Sequence, residues 1–454
     1  MFLRRLCQSV FNAPFPTWTA LAFALLLMIS ALPAKAVSLL RDPDIEYSLQ
    51  QVAKPILNVA GLGNSIKILV VNDSSLNAFV LDNKHIFIHA GLLMRMDNAD
   101  MLRAVIAHEA AHIANGHLAR RHQNIGNART VAGLGVALSA LAAAATGNSE
   151  LAAGVAAGVT SSASRVFLSH TRAEEASADK SAIQYLVRSG TDTQGMVQVF
   201  DLFSGQELLR PERQDPYTRT HPLTRDRLRN AKAAATAYAG KAKDDTSADY
   251  WFHRAKGKLT AFMRSPKWTK RTLKESPSED IRLMREAVMH HRQSNSSKAI
   301  ATLNRAIAKR PNDPYFYELR GQFQIESRQV GAAVSSYKAC VDRARNNALC
   351  QGGYGRALLA AGQTKSALRA LEKARNLDFR DGRILRDLAS AYAKNGNAGM
   401  ASVASAERYA LQGRLKDAGI QAKRAAGLLP EGSSGWRRAQ DIILAAKRAE
   451  KKKR

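Results

Sequence analysis

Five consecutive residues, His108-Glu109-Ala110-Ala111-His112, bring two imidazoles and a carboxylate together. On a helix His108 and His112 are i and i+4, so they share one face and can reach a single metal ion. Glu109 stands beside the first histidine, where it can lean over the same ion without binding it. This is the H-E-x-x-H pattern, in which the histidines ligate zinc and the glutamate is the general base of a metallopeptidase. A catalytic zinc usually takes three protein ligands and keeps one position for water. His117 follows His112 by five residues and comes directly after Gly116. A third histidine ligand on the same stretch needs a spacing of six with a glycine between to turn the chain, so His117 is read as structural.

The remaining solution is a carboxylate from a second helix. In the stretch TRAEEASAD, residues 171–179, Glu175 and Asp179 share a helical face. Glu175 is the expected third ligand. Asp179 is expected to hydrogen-bond a ligating histidine and fix its tautomer. Glu174 points about 100° away and is the weaker candidate. Further on, THPLTRDRL (220–228) puts His221 before a proline in a loop. His221 can either steady the oxyanion or cap the open metal position. Arg227 can orient substrate or pair with a carboxylate.

These residues need elements to hold them. Residues 37–66 read as helical. KILVVND (67–73) and HIFIHAG (85–91) read as strands, rich in Val and Ile and bounded by Asn, Asp and Gly. A strand near Asn77, Ala78 and Phe79 is expected to hold an extended substrate backbone beside the metal helix. That helix is expected over 97–118, with Asp97 or Asn98 as its N-cap. The helix of the third ligand is expected over 168–189. Between them, residues 131–165 are Ala/Gly-rich. They suit a pair of closely packed buried helices, or a lid or hairpin that dips into lipid; neither half is long enough to span a membrane.

The chain opens with Arg4 and Arg5, an apolar run from Thr19 to Leu32, and Ala34-Lys35-Ala36. That is the layout of a secretory signal cut after Ala36. No cysteine follows the cut to carry a lipid, and no later run is long enough for a transmembrane helix. Export to an oxidising space is the expectation. Cys340 and Cys350 then either pair across a helix–turn–helix or are two small buried residues. Charge is uneven: net +24 over residues 241–454 against +2 over 37–240. Few Phe or Trp interleave with the charges of the basic half, and export argues against nucleic acid. Anionic membrane, lipopolysaccharide or acidic protein segments are the partners such a surface would meet.

The second half repeats. Ala299, Ala333 and Ala367 are each 34 apart, as are Ala306, Cys340 and Ala374, and Ala287, Gly321, Gly355 and Ala389. Small residues at three registers of one period mark closely packed helix pairs of the tetratricopeptide kind. About four pairs are expected, with the register slipping after about residue 395. Such solenoids present a concave surface for polypeptides.

Taken in order, NAF, HEAAHIANGH, TRAEEASAD and THPLTRDRL resemble the HtpX/BepA-type gluzincin metallopeptidases, in the branch with a signal peptide and a tetratricopeptide tail. The resemblance implies His108, His112 and Glu175 as ligands of one zinc per chain, Glu109 as base, and Asp179 behind the ligands. Thr171-Arg172 replaces the family's usual Ser-Arg. The expected fold is mostly α (α+β): a zinc metallopeptidase domain with a small sheet, then an α-solenoid. The expected division is 1–36 signal peptide, 37–235 peptidase domain, 236–280 linker helices, 281–446 repeats and 447–454 basic tail. The implied function is a periplasmic endopeptidase that cleaves misfolded or stalled envelope proteins. Its repeats would hold clients during outer-membrane protein assembly, in contact with the assembly machinery. The rival is a mainly non-catalytic chaperone with a latent or structural zinc site.

Overall fold

The computed structural model describes residues 38–120, 172–210 and 213–451. The leader expected at 1–36 and the Ala/Gly-rich stretch 131–165 lie outside them. The described chain is mostly helical, with one small sheet and a long run of paired helices. No helix among the described residues is long and apolar enough to cross a membrane.

Strand β1 (Leu39–Leu40) leads into helix α1 (Pro43–Val59), where Asp42 caps the backbone amides of Asp44 and Ile45 and Pro43 occupies the first turn. Leu49, Val52, Ala53 and Ile56 recur at helical spacing and are fully buried. Strands β2 (Lys67–Val71), β3 (Ala78–Asp82) and β4 (His85–His89) complete a four-stranded sheet of order β1-β2-β4-β3. β2 runs parallel to β4, while β3 is antiparallel to β4 and forms the sheet edge. The expected strand 85–91 stops at His89. Ala90 and Gly91 instead start helix α2 (Ala90–Arg95), where a side chain on Gly91 would strike the Ser74 carbonyl.

Helix α3 (Ala99–Ala114) carries the H-E-x-x-H motif, and Asn98 is its N-cap, accepting the Met101 amide at 2.9 Å. It ends four residues short of the expectation. Gly116 adopts φ +69°, a left-handed turn that glycine makes at little cost, and helical residues 117–120 follow. Helix α4 spans 172–189, and α5 (Gln194–Leu202), α6 (Pro216–Thr220) and α7 (Arg225–Ala237) close the first core.

Residues 236–280, expected as a linker, carry helix α8 (Thr246–Met263), followed by α9 (Pro266–Thr272). Phe252, Ala255 and Leu259 of α8 enter the first core and Ala261 the second, so α8 belongs to both.

Ten helices follow among the described residues: α10 (Glu279–Arg292), α11 (Ser296–Lys309), α12 (Pro314–Glu326), α13 (Val330–Arg343), α14 (Ala348–Ala360), α15 (Thr364–Leu377), α16 (Gly382–Lys394), α17 (Ala398–Leu411), α18 (Leu415–Leu428) and α19 (Ser434–Lys451). They make five antiparallel pairs, not four. Helix starts recur every 34 residues at 314, 348 and 382, and at 296, 330, 364 and 398; α18 then begins at 415, one residue early, which is the slip in the sequence pattern. The small-residue register has a partner. A Cβ on Gly321 would lie 2.8 Å from the Tyr337 ring, and one on Gly355 2.5 Å from Leu371 Cγ. Gly321 and Gly355 therefore each admit a bulky residue sixteen positions later, on the second helix of the pair. Cys340 and Cys350, on α13 and α14, are joined in a disulfide.

Buried charges fasten the repeats to the first core. Arg254 and Lys258 of α8 are fully buried. Arg254 bonds Asp44 at 2.7 Å and also Asp313, while Lys258 reaches Asp42 at 2.8 Å. Arg41, just before α1, pairs with Glu46 at 2.6 Å and with Asp378, in the loop after α15, at 2.7 Å. Part of the positive charge expected on the surface of the basic half therefore lies inside the molecule.

Candidate metal centre

Helix α3 turns His108, Glu109 and His112 toward α4, and all three are at least 98% buried. Their Nε2 atoms face each other, His108 to His112, at 3.1 Å. From α4, Glu175 Oε2 lies 3.2 Å from His108 Nε2, and Oε1 lies 3.3 Å from His112 Nε2. The loop after α6 brings in His221, whose Nδ1 is 3.2 Å from His108 Nε2 and 3.0 Å from Glu175 Oε2. His108, His112, Glu175 and His221 thus offer four donors, all within 4.8 Å of one another. Glu174 is not among them.

The donor spacing can be tested against a metal. Ligand atoms about 2.0–2.1 Å from a tetrahedral zinc lie about 3.3–3.4 Å apart. The closest distances between ligand atoms here run from 3.0 to 3.3 Å. Three imidazoles and one carboxylate are also the donor chemistry that zinc favours. The residues fit the ion.

A ring of side chains holds these donors. Asp179 Oδ1 is 3.0 Å from His108 Nδ1, the nitrogen opposite the donor atom. Arg227 grips Asp179 with two hydrogen bonds, Nε to Oδ2 at 2.6 Å and Nη2 to Oδ1 at 2.8 Å. It also donates to the Pro222 carbonyl at 2.9 Å and stands 3.2 Å from Glu175 Oε2. Of the two roles open to Arg227, carboxylate pairing is the one seen; the side chain is 94% buried. His117 Nδ1 meets His112 Nδ1 at 2.9 Å, so the residue read as structural braces a candidate ligand. Its placement needs the Gly116 turn, which spacing alone did not reveal. Tyr217 packs against His221, its ring tilted by 35° with centroids 4.7 Å apart, and receives the His221 amide on its carbonyl. Only the four-residue spacing of Tyr217 and His221 could have hinted at this.

The electrostatics follow from burial and charge. Burial alone would lower the His108 pKa, but Asp179 and Glu175 overcome it and push it up to about 9. His112 stays well below the ordinary range, through burial and the neighbouring His108 and His221. Burial would raise Glu175, yet the three histidines hold it well below its usual value. Asp179 is held low against burial by Arg227 and His108. Glu109 is fully buried, and neither carboxylate oxygen has a hydrogen-bond partner among the described residues. His221 Nε2 is 3.4 Å from its Oε1.

The stretch expected to hold substrate lies along the sheet edge. Ala78 and Phe79 open β3, and Asn77 directly precedes it, its carbonyl accepting the His89 amide at 2.9 Å. Ala78 and Asn77 are buried, while Phe79 is half-buried and stacks on Phe87.

Residues 41–235 match the model of peptidase family M48. The chain is 26% identical over 395 residues to the beta-barrel assembly-enhancing protease of Escherichia coli K12, covering 84% of this chain and 78% of the relative. It is 24% identical to the protein of the same name from Yersinia pestis, over 84% of this chain and 79% of that one. Among solved structures, MamA from Desulfovibrio magneticus RS-1 aligns with 36% of this chain and 96% of its own, at 18% identity and a TM-score of 0.32; so low a score carries no argument. The family resemblance read from the sequence holds: a peptidase M48 domain is followed by helical repeats.

Proposed function

We propose that this chain is a periplasmic zinc endopeptidase, held latent at rest by His221, that cleaves misfolded or stalled envelope proteins while its repeats hold the client. One observation carries the reading: four buried donors within 4.8 Å of one another stand beside a buried carboxylate that has no hydrogen-bond partner among the described residues. A purely structural zinc site has no use for Glu109.

His108, His112 and Glu175 would hold the ion, with His221 as the fourth and exchangeable donor. When bound, zinc supplies Lewis acidity, which polarises a carbonyl and makes water more acidic. Glu109 takes the proton from the attacking water and passes it to the leaving amine as the peptide bond breaks. Asp179, locked by Arg227, holds the His108 ring, and His117 holds His112. The β3 edge at Asn77, Ala78 and Phe79 offers backbone groups to an extended substrate. His221 must leave for substrate to enter, and this favours the capping role over the oxyanion role.

The names of the relatives support a place in outer-membrane protein assembly, with that machinery as partner. A mainly chaperone role with a rarely opened site is the second reading, and the fourth donor, His221, is the observation that favours it. Casein cleavage by His221→Ala separates the roles of His221. A rate above wild type, abolished by a chelator and restored by zinc, supports the cap; a lower rate supports the oxyanion role, and an unchanged rate removes both.

A further inference from the structure

Between the first core and the repeats lies a cavity of about 500 Å³. Its repeat wall comes from α12, α14 and α16, the first helices of three successive pairs. Its other wall comes from β1, the start of α1 and the end of α8. Leu39, Phe262, Ile325 and Ile384 make it apolar on both sides.

One charge in this wall is not satisfied. Glu318 of α12 is 8% exposed, and its Oε2 has no hydrogen-bond partner among the described residues. The other charged groups around it are committed. Arg356 is bound to Asp387 at 2.7 Å, Arg383 to Asp381 at 3.2 Å, Lys258 to Asp42 at 2.8 Å and Glu326 to His291 at 2.9 Å. A buried carboxylate without a partner is costly, and folds keep few of them. Burial first, with Asp42 and Asp44 adding to it, pushes the Glu318 carboxyl up to about 7 against the pull of Lys258 and Arg383. The site is short of positive charge.

A small inorganic cation would need several oxygen ligands, and only one carboxylate here is uncommitted. A lysine or arginine side chain needs one carboxylate and an apolar sleeve for its methylenes. The cavity supplies both, and its volume has room for a neighbouring apolar side chain as well. We propose that this cavity is a cation-selective subsite in which Glu318 receives a lysine or arginine side chain of an extended client polypeptide. The proposal rests on the client-holding reading of the repeats and names where, and by which chemistry, the client is held.

The test uses the mature chain, residues 37–454, carrying Glu109→Gln so that bound peptide is not cleaved. The probe is a fluorescein-labelled, acetylated and amidated decapeptide of alternating leucine and serine with one central lysine. Its control carries norleucine at that position. Anisotropy should show the lysine peptide binding about tenfold or more tightly than the control, the range of one charge-assisted hydrogen bond. Glu318→Gln should bring the ratio near one. Gln322→Lys, at a half-buried residue of the same cavity wall, should abolish the lysine preference by supplying a tethered ammonium, and it leaves Glu318 in place should the first variant fold poorly. If both peptides bind equally to the parent, or if both variants keep the parent's ratio, the subsite is wrong while client holding stands. If neither peptide binds, client holding by the repeats falls with it.

Discussion

Removing the Arg227 guanidinium should injure the candidate metal centre without touching any of its four donors. Its side chain makes two short hydrogen bonds to Asp179, a third to the Pro222 carbonyl and an ion pair with Glu175, and it lies over the Phe200 ring at 5.2 Å. Arg227→Ala leaves two buried carboxylates, Asp179 and Glu175, on either side of His108 with no cation from α7. Breaking a buried pair by deleting one partner costs about 3–5 kcal/mol. In a domain of this size, 1 kcal/mol is worth about 2–4 °C, so zinc-free protein should melt at least about 6 °C lower. Asp179 would also lose its hold on His108, and losing such an outer partner costs about 10–100-fold in metal affinity. Arg227→Lys keeps a charge but not the fork, and should fall between. Melting followed by circular dichroism and zinc competition against a chromophoric chelator read the two effects separately. If Arg227→Ala melts within about 1 °C of wild type and binds zinc equally, the view that Asp179 and Arg227 position the site is refuted.

Two further outcomes concern the joint and the repeats. Asp378 and Asp381 are held below the ordinary carboxylate range, against burial, by Arg41 and, for Asp381, Arg383. Groups with a depressed folded pKa stabilise above their unfolded value and lose that stabilisation as pH falls through the folded one. Contact between the repeats and the first core should therefore survive at pH 5 and loosen below about pH 4, seen as a rise in radius by small-angle scattering; Arg41→Ala should move that loosening to higher pH. Gly355→Ala must displace Leu371, whose Cγ would lie 2.5 Å from the new methyl. Overpacking costs about 1–3 kcal/mol, offset by about 1 kcal/mol of helix propensity, so denaturant titration should show a net loss of about 1 kcal/mol.

How much of this was legible in the sequence depended on range. His108 with His112, and Glu175 with Asp179, are helical neighbours, so their shared faces follow from spacing. The Asn98 cap and the 34-residue period are equally local. What escaped was set by distant contacts. β1 is two residues long and exists only because β2 pairs with it. His117 reaches His112 only after the backbone reverses at Gly116. Arg254 and Lys258 counted as surface charge in a composition, yet they are fully buried against acids that stand about 210 and 216 positions away in the chain. The expected count of about four pairs fell one short because one residue fewer before α18 put the last small residues out of register.

The central claim is that Glu109 is the base of a zinc peptidase, and one paired measurement tests it most directly. Residues 37–454, with Glu109 and with the Glu109→Gln substitution, are each assayed for zinc and then for cleavage of casein. The account predicts one zinc per chain in both and cleavage only with Glu109 present. Equal cleavage by both would contradict the assignment of the base, and chains without zinc would contradict the centre itself.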